Sequence, residues 1–150
     1  MEMTDAQRER YYEKLLHYIN TNRGYAKYSG VRVTKVAPDY CEGELTITPD
    51  QCNYLGIVHG GCLATLADTV AGIAACSRGR GTVTLNYGFS FHRQAKGTVI
   101  KCVAEPEKVG HKVSVFRCSL TDDQGNLVAS GQFTFFMTGE LADNLPELEV

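Results

Sequence analysis

The chain has 150 residues, 43% of them hydrophobic and 21% charged, which is enough length for one domain with a real core. Fifteen basic against seventeen acidic residues give a net charge of −2, and that speaks against a nucleic-acid surface, which shows as a strong basic excess. No run reaches the roughly 20 apolar residues of a membrane helix; residues 60–76 come closest, and Asp68 interrupts them.

The N-terminal stretch MEMTDAQRER is charged and lacks the apolar core of a signal peptide. Thr4 followed by Gln7 has the form of a capping box. Tyr11, Leu15, Tyr18, Ile19 and Asn22 then keep helical spacing, predicting an amphipathic helix over about residues 4–22 with Gly24 as a left-handed cap. Residues 30–50 alternate in two runs, GVRVTKVA and EGELTIT, and predict two strands joined around Pro38–Asp39. Residues 51–60 hold turn formers without a period and read as a loop. From Gly60 to about Ser77 the pattern turns helical, with Leu63, Leu66, Val70 and Ile73 on one face and alanines on the others, predicting a helix buried all round. Four strand-like runs follow, TVTLNYGFSFHR, TVIKCVAEPEK, KVSVFRCSLTD and LVASGQFTFFMTG. The joining segments QAKG, VGH and DDQGN carry hairpin-type residues, so a meander is expected. The acidic tail ELADNLPELEV is expected to fray.

The expected fold is therefore α+β, one antiparallel sheet wrapped around a central helix with an extra N-terminal helix, in a single domain whose core spans about 30–138. A sheet covering one helix leaves edges exposed, and pairing with a second copy would manage them. The cysteines Cys41, Cys52, Cys62, Cys76, Cys102 and Cys118 show no CxxC or tight His/Cys spacing and sit mostly in apolar segments. They read as reduced thiols of a cytoplasmic protein. The four histidines, His17, His59, His92 and His111, have no metal-ligand spacing, and neither a metal nor a cofactor is expected.

The stretch NYLGIVHGGCLATLADTV (53–70) carries the chemistry. A carboxylate inside an apolar helix costs several kcal/mol unless it is paired or hydrated. The helical neighbours of Asp68 are Gly61, Ala64, Thr65, Ala71 and Gly72, none of them a cation. Upstream, HGG opens the helix, where the first N–H groups lack internal partners and face the positive end of the dipole. Glycine leaves those donors sterically open, so Gly60 and Gly61 can admit a carbonyl oxygen or an oxyanion. His59 lies nine residues from Asp68, roughly 13 Å along a helix. One subunit cannot bring both features to the same small atom. Two such helices packed antiparallel about a two-fold axis would place Gly60 of one near Asp68 of the other, which predicts an obligate homodimer with two shared sites.

The set Asn53, His59, Gly60, Gly61 and Asp68 closely resembles the hotdog-fold acyl-CoA thioesterases of the phenylacetate-degradation (PaaI) type, within the 4-hydroxybenzoyl-CoA thioesterase superfamily. The likeness covers roughly residues 30–138. It implies a hotdog fold, a homodimer on a continuous sheet, often a tetramer of two dimers, and an acyl-CoA substrate. It further implies that Asp68 acts on the thioester carbonyl as general base or nucleophile and that the Gly60 N–H polarises the carbonyl oxygen. Asn53 would help position the thioester from the same subunit as Gly60, and His59 would order the loop. A hydroxyl on the next strand would orient the water; Thr84 is the best match, with Thr82 the candidate if the alignment slips by two.

Coenzyme A carries phosphates, so basic groups near the mouth are expected. Arg78, Arg80 and Arg93 are available, and the KVGHK turn with Lys108, His111 and Lys112 ranks first. Tyr54, Leu55, Val58, Thr65 and Thr69 are candidates for the acyl pocket, whose preference for aromatic or aliphatic groups stays open. Two alternatives stand beside hydrolysis. A hotdog hydratase would need a histidine paired with an acid, and His59 is poorly spaced from Asp68 for that. A non-catalytic acyl-CoA sensor would have no use for Asp68.

Overall fold

A computed structural model of the chain describes residues 2–148. Helix α1 (Asp5–Thr21) starts at the capping box, with Thr4 Oγ1 accepting from the Gln7 N–H and Gln7 Oε1 accepting from the Thr4 N–H. It ends at Asn22 in extended backbone, and Gly24 is extended too (φ −179°) and opens a one-turn helix, α2 (Tyr25–Tyr28). The expected left-handed cap is absent; Lys27 Nζ instead donates to the Thr21 carbonyl.

Strands β1 (Val31–Ala37) and β2 (Tyr40–Thr46) turn at Pro38–Asp39 as expected. After the 49–51 single turn and a loop comes α3 (Gly60–Cys76), then β3 (Arg80–Phe91), β4 (Val99–Lys108), β5 (Val113–Asp122) and β6 (Leu127–Glu140). The sheet is antiparallel in the order β1-β2-β4-β5-β6-β3. This corrects the expected meander, because β3 does not pair with β4. The chain leaves α3 at one edge of the sheet, pairs β3 along β6, and crosses through 92–98 to set β4 against β2.

Leu63, Leu66, Ala67, Val70, Ala71 and Ala74 of α3 pack into the concave face of the sheet. Each large side chain fully buried there contributes about 1.5–3 kcal/mol. The sheet can wrap closely because β2 offers no side chain at Gly43, where a Cβ would lie 2.5 Å from Val70 Cγ2. The helix is not buried all round, however. A stripe through Gly61, Thr65, Asp68, Thr69 and Ile73 stays partly open to solvent.

The two sheet edges are treated differently. At β1, Asn20 of α1 acts as a mock strand: its Oδ1 accepts the Val33 N–H at 2.9 Å and its Nδ2 donates to the Val33 carbonyl at 2.8 Å. At β3 none of the described residues covers the edge, and Val83, Leu85, Tyr87 and Phe91 are each more than half exposed. An open apolar strand edge invites a partner strand.

The six cysteines are free, and burial pushes the Cys41 and Cys102 thiols well above their ordinary range. The tail is not loose through the described residues. Glu147 pairs with Lys14 and Arg10 on α1, and its carbonyl accepts from Tyr18 Oη, while 149 and 150 lie outside the described residues.

Asp122 organises the β5–β6 turn. It is 4% exposed and accepts from the backbone N–H groups of Lys96, Gln124 and Asn126 and from the Asn126 amide. Burial alone raises its pKa, but the hydrogen bonds to the carboxylate outweigh that and bring it down to about 2. A carboxyl depressed below its unfolded value of about 3.9 stabilises the fold above that pH and loses the contribution as pH falls through the folded value. Thermal melts should therefore steepen their decline between about pH 4 and pH 2. In Asp122→Asn the decline over that window should be shallower and Tm at neutral pH lower. Equal slopes in the two proteins would show that this carboxylate is not an acid-labile contact.

Candidate active site

Asp68 sits on the third turn of α3, half-buried, with no cation paired to it among the described residues. Its Oδ1 accepts a hydrogen bond from Thr84 Oγ1 of β3 at 2.8 Å. Thr82, the alternative two residues back, is engaged elsewhere, 3.3 Å from Cys76 Sγ. The carboxylate opens on a cavity of about 330 Å³ walled by Ala64, Thr65 and Thr69 of α3, Tyr25 and Ala26 of α2, and Tyr87 of β3.

Tyr87 reaches this cavity because β3 is bulged. Register with β6 slips between Thr84 and Asn86, so Thr84 lies opposite Phe135 and Tyr87 opposite Phe133, both core-facing residues. One extra residue, Leu85, changes the parity of the strand and turns both Thr84 and Tyr87 toward α3. Tyr87 then stacks on Phe133 with ring centroids 4.9 Å apart.

The entrance of α3 separates the two glycines. His59 caps the helix, its Nδ1 accepting the Gly61 N–H at 2.8 Å. The His59 carbonyl accepts from Cys62 and Leu63. Gly61 is thus a cavity wall whose donor is taken, and the N–H of Gly60 is the donor that has no acceptor among the described residues. A Cβ at Gly60 would also lie 3.1 Å from Phe91 Cζ, a tight contact with the end of an exposed ring. Along α3, Gly60 and Asp68 are eight residues apart, about 12 Å.

Asn53 acts first on its own loop. Its Oδ1 accepts from the N–H groups of Leu55 and Ile57 at 2.9 and 3.2 Å, closing a turn in which Gly56 takes φ +76°. The loop it shapes is the one that presents Gly60.

Other expected site residues are scattered. Thr65 lines the cavity, its hydroxyl bonded back to the Gly61 carbonyl. Tyr54 and Leu55 do not line it: they stand 95% and 64% exposed in the Asn53 turn, and Val58 is in the core. Arg78 is held by Asp39 through both carboxylate oxygens and ties the end of α3 to the β1–β2 turn. Lys108, His111 and Lys112 flank the β4–β5 turn, where the Lys112 carbonyl accepts the Met137 N–H; none of them lines the Asp68 cavity of this chain. No helix among the described residues is long and apolar enough to cross a membrane.

Comparison with known proteins decides the family. The thioesterase superfamily model matches residues 55–129, half of the chain and the part that carries α3 and the Thr84 strand. The chain belongs to the thioesterase superfamily. Among its relatives is acyl-coenzyme A thioesterase 13 of Mus musculus, 30% identical over 69% of this chain and 77% of that protein. A thioesterase protein of Streptococcus pneumoniae, solved with coenzyme A, is 27% identical with a TM-score of 0.70 over 73% of this chain and 90% of its own. The Escherichia coli PaaI protein shares the fold at a TM-score of 0.81 over 90% of this chain and 98% of its own, at 21% identity. The hotdog architecture is thus established, and this superfamily member is a thioester hydrolase.

Proposed function

We propose that this thioesterase hydrolyses an acyl-coenzyme A to the free acid and coenzyme A, in two sites shared across a homodimer. One observation carries the reading. A half-buried carboxylate with a hydroxyl partner and, among the described residues, no cation lies about 12 Å along one helix from an N–H donor that has no acceptor among those residues. A single chain has both halves of an acyl-transfer site and holds them too far apart to use together.

The fold suggests which edge the partner takes. Asn20 plugs β1, so β3 is the edge that can continue into a second copy, and a β3–β3 pair brings the adjoining α3 helices antiparallel. Asp68 of one chain then faces Gly60 of the partner subunit. Asp68, as general base, removes a proton from water oriented by Thr84, and the oxygen adds to the carbonyl carbon. The developing oxyanion rests on the Gly60 N–H of the partner subunit. Collapse of the intermediate breaks the carbon–sulfur bond, and the proton goes to the departing thiolate. Direct attack by the carboxylate uses the same geometry. His59 caps its own helix through Nδ1, and within one chain no histidine is bonded to Asp68 among the described residues, whereas a hydratase needs a histidine paired with the acid. The KVGHK turn, whose Lys108, His111 and Lys112 have no carboxylate partner among the described residues, is the cationic group proposed for the coenzyme A phosphates. Two such dimers would assemble into the tetramer.

The test is thiol release from a panel of acyl-CoAs, coupled to subunit mixing. Asp68→Ala and Asn53→Ala homodimers should each be inactive. Random mixing should restore about a quarter of wild-type activity, since half the dimers are mixed and each of those has one intact site. No recovery, with mixed dimers verified by mass, would place both groups in one chain.

A further inference from the structure

The Asp68 cavity has a neighbour. Beneath α2, between α1 and α3, lies a second cavity of about 350 Å³. Leu15 and Ile19 of α1 and Ile73 of α3 form its apolar walls, while Asn22, Arg23 and Lys27 are exposed at its rim. Tyr25 and Ala26 belong to the walls of both cavities. The floor is continuous as well: Thr65, Thr69 and Ile73 recur every fourth residue on one face of α3, a run of about 12 Å.

We propose that the acyl group is a straight aliphatic chain lying along α3, from Asp68 beneath α2 to Ile73, with Tyr25 and Ala26 setting the length it can reach. This rests on the acyl-CoA hydrolase reading. Asp68 fixes where the thioester carbonyl must be, and the cavity beside it lies between α2 and Tyr87. Two cavities share its walls: one, through Tyr25 and Gly61, is lined by polar groups including Asp50, Gln51 and His59, and the apolar one runs toward Leu15 and Ile19. Ala26, half-buried against the core, is the small side chain at the crossing, where anything larger would close the passage. A planar aromatic acyl group would fill the first cavity against Tyr25 and Tyr87 and leave the second empty.

The experiment measures kcat/KM for butyryl-, hexanoyl-, octanoyl-, decanoyl- and benzoyl-CoA with wild type, Ala26→Leu and Ile73→Phe. Dissociation constants for the same thioesters on Asp68→Asn protein supply a readout independent of turnover. Wild-type kcat/KM and affinity should rise roughly fourfold per methylene along the aliphatic series until the second cavity is filled. Ala26→Leu, at the crossing, and Ile73→Phe, beyond it, should each lower the decanoyl-to-butyryl ratio by at least about 15-fold, the effect of two lost methylenes. A flat series, a preference for benzoyl-CoA, or ratios that neither substitution moves would overturn the chain-along-helix assignment while Asp68-dependent hydrolysis still stood. Should no acyl-CoA be bound or cleaved, the hydrolase reading and this one fall together. The wild-type series decides alone if either variant does not fold, and circular dichroism reports that.

Discussion

Asp68→Asn should lower kcat by roughly 10²–10⁴-fold with little change in KM, the range expected for loss of a positioned base. The substitution is nearly isosteric and keeps an acceptor for the Thr84 hydroxyl, so the cavity and the dimer should persist. Its second signature is thermal. Among the described residues the half-buried carboxylate has a single hydroxyl partner and no cation, so removing its charge should leave Tm unchanged or raised, as at active sites where function opposes stability. Steady-state kinetics and a melting curve on the same preparation check both. Full activity in this variant would remove Asp68 from the chemistry and with it the shared site.

Gly60→Val should act on rate and stability together. Its Cβ would approach the Phe91 ring at 3.1 Å, and the branched side chain would screen the N–H that has no acceptor among the described residues. Loss of one oxyanion donor costs on the order of 10²–10³ in kcat, and that loss should be accompanied by a lower Tm. Phe91 is 56% exposed in the single chain, so its ring has room to move. Adding Phe91→Leu should then recover much of the Tm but not the rate. If the double variant regained both, Gly60 would be needed for packing alone. Compared with Asp68→Asn, which spares the fold, this pair separates a residue chosen for its backbone from one chosen for its charge.

Much of this site was legible in the chain because its signals are local. The capping box at Thr4, the turn at Pro38–Asp39 and the helix from Gly60 to Cys76 each depend on residues within a few positions of one another. The oddity of Asp68 is local too: an acid among Gly61, Ala64, Thr65 and Ala71 has no partner at helical spacing, wherever the helix ends up. What escaped depends on contacts distant in sequence. Strand order could not be read because β3 finds β6 across the sheet, and turn residues in QAKG fit a crossover as well as a hairpin.

The sequence by itself determined the motif, its helix, the α+β class and the separation along α3 on which the proposed second copy rests, since periodicity and helix rise are properties of the backbone at any address in the fold. Tertiary structure alone decided the rest. Pairing with β6 forced the bulge at Leu85 that turns Tyr87 inward, and packing chose Thr84 over Thr82. Capping by His59 left Gly60, not Gly61, with the available donor, and Tyr54 was turned out to solvent by the loop that Asn53 closes. The one-turn helix α2 has too few residues to show a period, yet it supplies Tyr25 and Ala26 to the cavity. A side chain's face, and whether a hydrogen-bonding group is free, follow from partners that the order of residues along the chain does not specify.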